Sequence, residues 1–166
     1  MEFKSQIATT REQSKQLLEL GLKPETADMV YHYKKSRMAA LEWELEPRTP
    51  TLRGKFWTPE RIAKLKTPFH KHADGTPMTG EELFDSLWGK DVPAWSLGRL
   101  LEMLPTNIKV ANHENEFCLF HDNTTQLWNL SYPCIEYFET ESPFESCISA
   151  INWLIDNKQF NKEYLK

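Results

Sequence analysis

The sequence predicts an α+β fold, in which an antiparallel sheet of four or five strands is packed by two main helices. Residues 142–157 combine a helix-start signal with a single apolar stripe. Residues 97–104 repeat leucine at helical spacing. Between these helices, residues 117–138 contain short apolar runs separated by turn residues, which is typical of a meander of strands.

The last of these helices has the strongest signals. Ser142 is the predicted N-cap, Pro143 occupies the first helical position, and Glu145 completes a Ser-x-x-Glu capping box. The stripe that follows predicts one buried face, made of Phe144, Cys147, Ile148, Ile151, Leu154 and Ile155.

Further helices are predicted from their start signals. Capping boxes at Thr10 and Thr79 predict a short helix that ends before Gly21 and a second one from about residue 80. Thr58 followed by Pro59 predicts a helix of one or two turns. The helix with the leucine repeat begins near Ser96 and ends at a proline. Its stripe consists of Leu97, Leu100, Leu101 and Leu104, before Pro105.

Strands are predicted where apolar and polar residues alternate. Residues 41–46 place leucine and tryptophan on one face and three glutamates on the other. Residues 28–33 favour a strand, although a helix from Glu25 also fits the spacing. A hairpin near residues 34–37 would join the two. Residues 111–116 are predicted as a polar bend before the later strands.

The length of 166 residues fits a single α+β domain. Residues 47–90 interrupt it with prolines and glycines, which predicts an insertion-like excursion of loops and short helices. Within this excursion, residues 66–78 are polar and rich in turn residues, so we expect an exposed loop there.

Composition limits the classes of partner. A net charge of −4 argues against a nucleic-acid partner. The chain begins without the apolar run of a signal peptide and has no window apolar enough to span a bilayer, so we expect a soluble, cytoplasmic protein without a membrane partner. The three cysteines, an odd number without a CxxC pair, are expected to be buried free thiols in a reducing cytoplasm.

Four segments carry a resemblance to a known group of proteins: residues 12–21, residues 26–29, the motif at 93–97 with the leucines and proline that follow it, and residues 151–154. Together they resemble a set of small uncharacterised proteins encoded in gut-bacterial genomes and their prophages. The resemblance does not cover residues 47–90. It implies a compact α+β domain and a viral or mobile-element origin, and it supplies no activity or catalytic residues.

Two groups of side chains could carry chemistry. His70 and His72 would point the same way on an extended segment and, with Asp74, could ligate a metal. A solvated loop is the alternative, since nothing in the sequence orients these ligands. We interpret a second cluster as a group of acids and histidines that could catalyse hydrolysis. It consists of His113, Glu114, Glu116, His121 and Asp122.

Neither group has the spacing of a known catalytic motif, and no nucleophile motif or glycine-rich phosphate loop occurs. We therefore expect no cofactor, and the sequence favours a protein that is not an enzyme.

Tryptophans supply the remaining candidate binding residues. Trp57 and Trp88 lie beside loops of the excursion, where they could line a binding groove. Trp95 precedes a helix and could either contact a partner or pack as a staple at the start of the helix. Trp43 and Trp128 are expected in the core.

These observations favour a non-catalytic protein-binding protein, with an accessory or host-modulating role for a phage or mobile element. A protein that binds a nucleotide-like small molecule between aromatic rings is one alternative. A metal-dependent hydrolase that uses His113 and His121, or His70 and His72, is the other.

Overall fold

The structure is a computed structural model and describes residues 6–34, 42–48, 59–65, 70–88, 91–110 and 113–166. The chain divides into two compact units. Unit 1 combines Met1–Asp28 with Pro93–Lys166, and unit 2 is Met29–Val92. The excursion predicted at residues 47–90 lies inside unit 2, which begins earlier in the chain.

Helices and strands are both present, so the α+β class is confirmed. The helices of the described residues are α1 (Arg11–Glu19), α2 (Pro59–Ala63), α3 (Gly80–Trp88), α4 (Leu97–Met103) and α5 (Pro143–Asp156), with 3₁₀ turns at Pro24–Thr26 and Lys162–Tyr164. Within the ranges that the structure describes, we find no helix with the length and apolarity to cross a bilayer. The strands are β1 (Met29–Lys34), β2 (Glu42–Pro47), β3 (Val92–Ala94), β4 (Asn107–Val110), β5 (His113–Glu116), β6 (Cys118–Asp122), β7 (Leu127–Tyr132) and β8 (Glu136–Thr140).

The predicted single sheet of four or five strands is wrong. The strands form three small sheets instead, in the orders β2-β1-β3, β4-β5 and β6-β7-β8. The sequence pattern identifies strands by alternation, but it does not identify the strand with which each one pairs. Neighbouring strands in the chain can therefore belong to different sheets.

Side-chain caps begin the helices at the predicted residues. Thr10 Oγ1 accepts a hydrogen bond from Gln13 N at 3.2 Å, and Thr10 N donates to Gln13 Oε1 at 2.9 Å. The same reciprocal pair forms at α3 between Thr79 and Glu82. Each box satisfies two backbone N–H groups that the first helical turn leaves without partners.

Helix α5 provides the centre of the core of unit 1. It packs on β7 and β8 and against α4. Ser142 caps it by accepting a hydrogen bond from Phe144 N, and Pro143 is its first residue. The predicted stripe is confirmed, with Ile155 half-buried against the core and the others buried: Phe144, Cys147, Ile148, Ile151 and Leu154.

The sheet of β6, β7 and β8 is an antiparallel meander, as predicted. Leu130 in the central strand lies opposite Leu119 on one side and Phe138 on the other. Asp122 Oδ1 accepts from Thr124 N at 2.7 Å in the turn between β6 and β7. The side chains of Leu119, Leu130 and Phe138 belong to the core. The face of the sheet that carries them is therefore the one that α5 covers.

The polar bend predicted at residues 111–116 is wrong for residues 113–116, which form β5. This strand pairs antiparallel with β4, and Val110 lies opposite His113. Residues 111 and 112 lie outside the described residues. β5 is a polar strand of four residues, so its sequence has no apolar alternation that could predict it. Its extended conformation depends on its pairing with β4, in which Ile108 is buried.

In unit 2, β1 and β2 pair antiparallel, with Tyr31 opposite Leu45. The strand interpretation of residues 28–33 is therefore confirmed over the helical one. The hairpin turn predicted at residues 34–37 falls largely outside the described residues. Helices α2 and α3 approach closely, because a Cβ atom at Gly80 would lie 2.0 Å from the carbonyl oxygen of Ile62.

Candidate functional site

Residues 70–78, the described part of the predicted exposed loop, are largely exposed and form a tight hairpin. His72 N donates to Thr76 O at 2.9 Å, and Met78 N donates to His70 O at 3.1 Å. Asp74 Oδ1 accepts from both the backbone N–H and the hydroxyl of Thr76. These hydrogen bonds hold the pKa of Asp74 below its usual value.

The two histidines of this hairpin have different surroundings. His70 is exposed. His72 Nε2 lies 3.2 Å from Glu82 Oε2, the oxygen that also accepts from Thr79 N in the capping box of α3. The described residues contain no group of three or more His, Cys, Asp or Glu side chains that could hold a metal ion. The metal interpretation of His70 and His72 gains no support from this geometry.

The second histidine cluster is divided between two sheets. His113 pairs with Val110 in the sheet of β4 and β5. His121 lies opposite Trp128 in the β6–β8 sheet, and its ring packs edge-on against that indole with 5.2 Å between ring centroids. The hairpin pairing that would bring His113 beside His121 does not form.

Trp95 belongs to the core of unit 1. Its side chain is completely buried, and its indole Nε1 donates to Thr26 Oγ1 at 3.0 Å. Its backbone N donates to Thr9 Oγ1 at 3.0 Å. The indole is therefore a core side chain and is not available as an exposed contact surface. Trp57 lies outside the described residues, as does the side chain of Trp88 at the end of α3, so the groove at these two residues stays a prediction.

A shallow depression of about 440 Å³ in unit 1 is lined by residues 25–28, 96, 98, 99 and 102. Its polar groups already bond to one another. Asp28 accepts from Ser96 N and Oγ, and Arg99 donates to Thr26 O and Glu102 Oε2. No aromatic residue is among those that line it, so it does not fit a ligand held between rings.

The face of the β6–β8 sheet opposite α5 has a different character. Side chains alternate between the faces of a strand, so this surface, which we call the outer face, consists of Cys118, Phe120, Asp122, Leu127, Asn129, Ser131, Tyr137 and Glu139. Phe120 is 44% exposed and Tyr137 is 51% exposed. Large exposed aromatic side chains on a sheet face are typical of an interaction surface.

Asn129 lies at the centre of the outer face, opposite Phe120 on β6 and Glu139 on β8. Its side chain is completely buried, yet neither Oδ1 nor Nδ2 has a hydrogen-bond partner among the described residues. A buried amide that lacks partners costs about 1–3 kcal/mol. Such a group in a native fold requires an explanation.

The carboxylates of Glu139 and Asp122 make the outer face acidic. Partial burial of the Tyr137 side chain, together with these nearby charges, raises the pKa of Tyr137 above its usual value. Neither carboxylate forms a salt bridge with a lysine or arginine of the described part of the chain. Between Lys109 and Lys158 the sequence contains eight Asp and Glu residues and no Lys or Arg.

Our interpretation of the sequence missed Phe120, Asn129 and Tyr137 as candidates. The signal that could have found them is the long acidic stretch without a lysine or arginine, which spans all three strands of the sheet. The sequence alone does not tell which residues of each strand face away from the core. That assignment requires the position of α5, which covers the other face.

Comparisons with protein-family models, with curated proteins and with solved structures find no match to this chain.

Proposed function

We propose that this chain is a non-catalytic protein-binding module that docks a partner on the outer face of the β6–β8 sheet. The observation that carries the proposal is the pair of exposed aromatic side chains, Phe120 and Tyr137, on either side of the completely buried and unpartnered amide of Asn129. The resemblance to prophage-encoded proteins suggests an accessory or host-modulating role, with a host protein as the partner.

The arrangement supports binding for energetic reasons. Tyrosine and phenylalanine provide large contact areas at low cost in side-chain entropy, and they are enriched at protein interfaces. In the free protein the buried amide of Asn129 makes no hydrogen bond, which costs stability. A bound protein that supplies this hydrogen bond would recover that free energy. Asn129 is completely buried in the free chain, so a contact with its amide requires side chains around it to rearrange, and interface side chains often change rotamer on binding.

Site-specific photo-crosslinking in bacterial cells tests this function. The photoreactive residue p-benzoylphenylalanine replaces Phe120 or Tyr137, and a control replaces Ile7, which is 62% exposed in unit 1 and lies outside the sheet. We expect discrete adducts heavier than the 19.5 kDa chain from positions 120 and 137.

The control position is expected to give no such adducts. Adducts of the same size from all three positions, or no discrete adduct from positions 120 and 137, would contradict the proposed docking surface.

A further inference from the structure

We propose that the partner of the outer face is a basic protein segment, which places an arginine or lysine side chain against Tyr137 and its cationic head beside Glu139, on the face that also carries Asp122. This inference rests on the proposed function and specifies the chemistry of the partner.

Charge complementarity is the first argument. The outer face carries two carboxylates without a salt bridge to a lysine or arginine of the described residues, and it is built from a stretch that contains no lysine or arginine. An approaching carboxylate would be repelled, whereas a guanidinium or ammonium group would be attracted. A tyrosine ring next to carboxylates adds a cation–π contact to the salt bridge, and both favour arginine in particular.

Position on the sheet is the second argument. Tyr137 lies opposite Ser131, one alternation along β7 from Asn129, and Glu139 lies directly opposite Asn129. The aromatic ring, the carboxylate and the unpartnered amide are therefore neighbours on one face. A peptide that lays the apolar stem of an arginine or lysine across Tyr137 would bring its backbone polar groups near Asn129, where the amide can donate and accept.

Titration of the full ¹⁵N-labelled chain with synthetic peptides tests the inference. The probe is an acetylated nonapeptide that repeats Arg-Leu-Gly, and the matched control repeats Glu-Leu-Gly at the same length. We expect backbone amide shifts in β6, β7 and β8 with the arginine peptide only. We expect Tyr137→Ala and Glu139→Gln each to weaken this binding about tenfold, and added salt to weaken it as well.

A matched substitution on α1, Glu12→Gln, is expected to leave the affinity unchanged, since this exposed carboxylate lies on α1, away from the sheet. Equal binding of the acidic peptide, shifts that map to other elements, or no shift at millimolar peptide would each overturn the inference. The crosslinking experiment separates the two proposals. If adducts form at positions 120 and 137 with a segment that contains no arginine or lysine, the docking surface stands and the basic partner is excluded.

Discussion

The indole Nε1 of Trp95 donates a hydrogen bond to the hydroxyl of Thr26 at 3.0 Å inside the core of unit 1. The same hydroxyl donates onward to Lys23 O at 2.7 Å. The backbone of Trp95 is held as well, because its N and O bond to the side chain and backbone of Thr9. This network ties residues near α1 to the start of α4, and it satisfies polar groups that burial would otherwise leave without partners.

Thr26→Val is expected to lower the free energy of unfolding by about 1–3 kcal/mol, because it leaves the buried indole N–H of Trp95 without an acceptor while keeping the side-chain shape. Urea unfolding followed by tryptophan fluorescence measures the change. Thr106→Val, at an exposed threonine, is the matched control and should stay within about 0.5 kcal/mol. Equal effects of the two variants would show that the Trp95 hydrogen bond does not contribute.

The helix starts could be predicted from the sequence because capping is a local interaction. Thr10, Thr79, Ser96 and Ser142 act on backbone groups two or three residues away, so their spacing alone is informative. The partition of the strands into three sheets could not be predicted. It depends on pairings such as Val110 with His113, for which a short polar strand carries no pattern.

The candidate site could be predicted only in part. The strands that form the outer face follow from their apolar runs and turns, but the direction in which Phe120 and Tyr137 point depends on the packing of α5. The lack of a hydrogen-bond partner for Asn129 is a property of the folded chain alone. Of the three tryptophans that the sequence offers as binding residues, Trp95 lies in the core, in agreement with packing rather than partner contact.

Gly80→Ala is expected to destabilise unit 2 by about 1–3 kcal/mol, a typical cost of overpacking. The new Cβ would lie 2.0 Å from Ile62 O, a backbone atom that can move only if α2 and α3 separate. Hydrogen exchange of the amides in α2 and α3 measures the effect.

The matched control for this change is Gly98→Ala in α4. There the nearest atom to the new Cβ is Ser96 Oγ at 3.8 Å, so no clash arises. Alanine is a better helix former than glycine, and we expect this variant to gain about 0.5–1 kcal/mol. If both variants lose stability to a similar extent, the close approach of α2 and α3 is not the cause.

Cys147 is expected to make stability depend on pH above pH 9. Burial raises the pKa of its thiol from 9.0 to about 12. Below pH 9 the thiol is protonated in both states, and its contribution to stability is fully present. Between pH 9 and 12 the unfolded state loses the proton first, so this contribution falls by about 1.4 kcal/mol per pH unit.

Chemical denaturation of the wild type and of Cys147→Ala at pH 8 and pH 10 measures this dependence. The stability advantage of the wild type should shrink by about 1 kcal/mol between the two pH values. Cys118 and Cys134 are exposed, so the expectation of buried thiols is wrong for these two residues. Cys134→Ala is therefore the control and should show no such change relative to the wild type. A constant difference between wild type and Cys147→Ala would contradict the raised pKa.

Asn129→Leu is expected to raise the free energy of unfolding by about 1–3 kcal/mol, because it replaces a buried amide that has no hydrogen-bond partner with an apolar side chain of similar size. Urea unfolding measures the gain. Asn152→Leu on the exposed side of α5 is the control, and for this variant helix propensity predicts a gain of only about 0.5 kcal/mol.

Asn129→Leu should also weaken crosslinking from position 137, because the amide that we propose for partner binding is lost. A variant that gains stability and loses adducts would support the view that Asn129 is retained for binding at the expense of stability. A variant that loses stability would instead show that the amide is satisfied in solution, and the argument for a partner at Asn129 would fail.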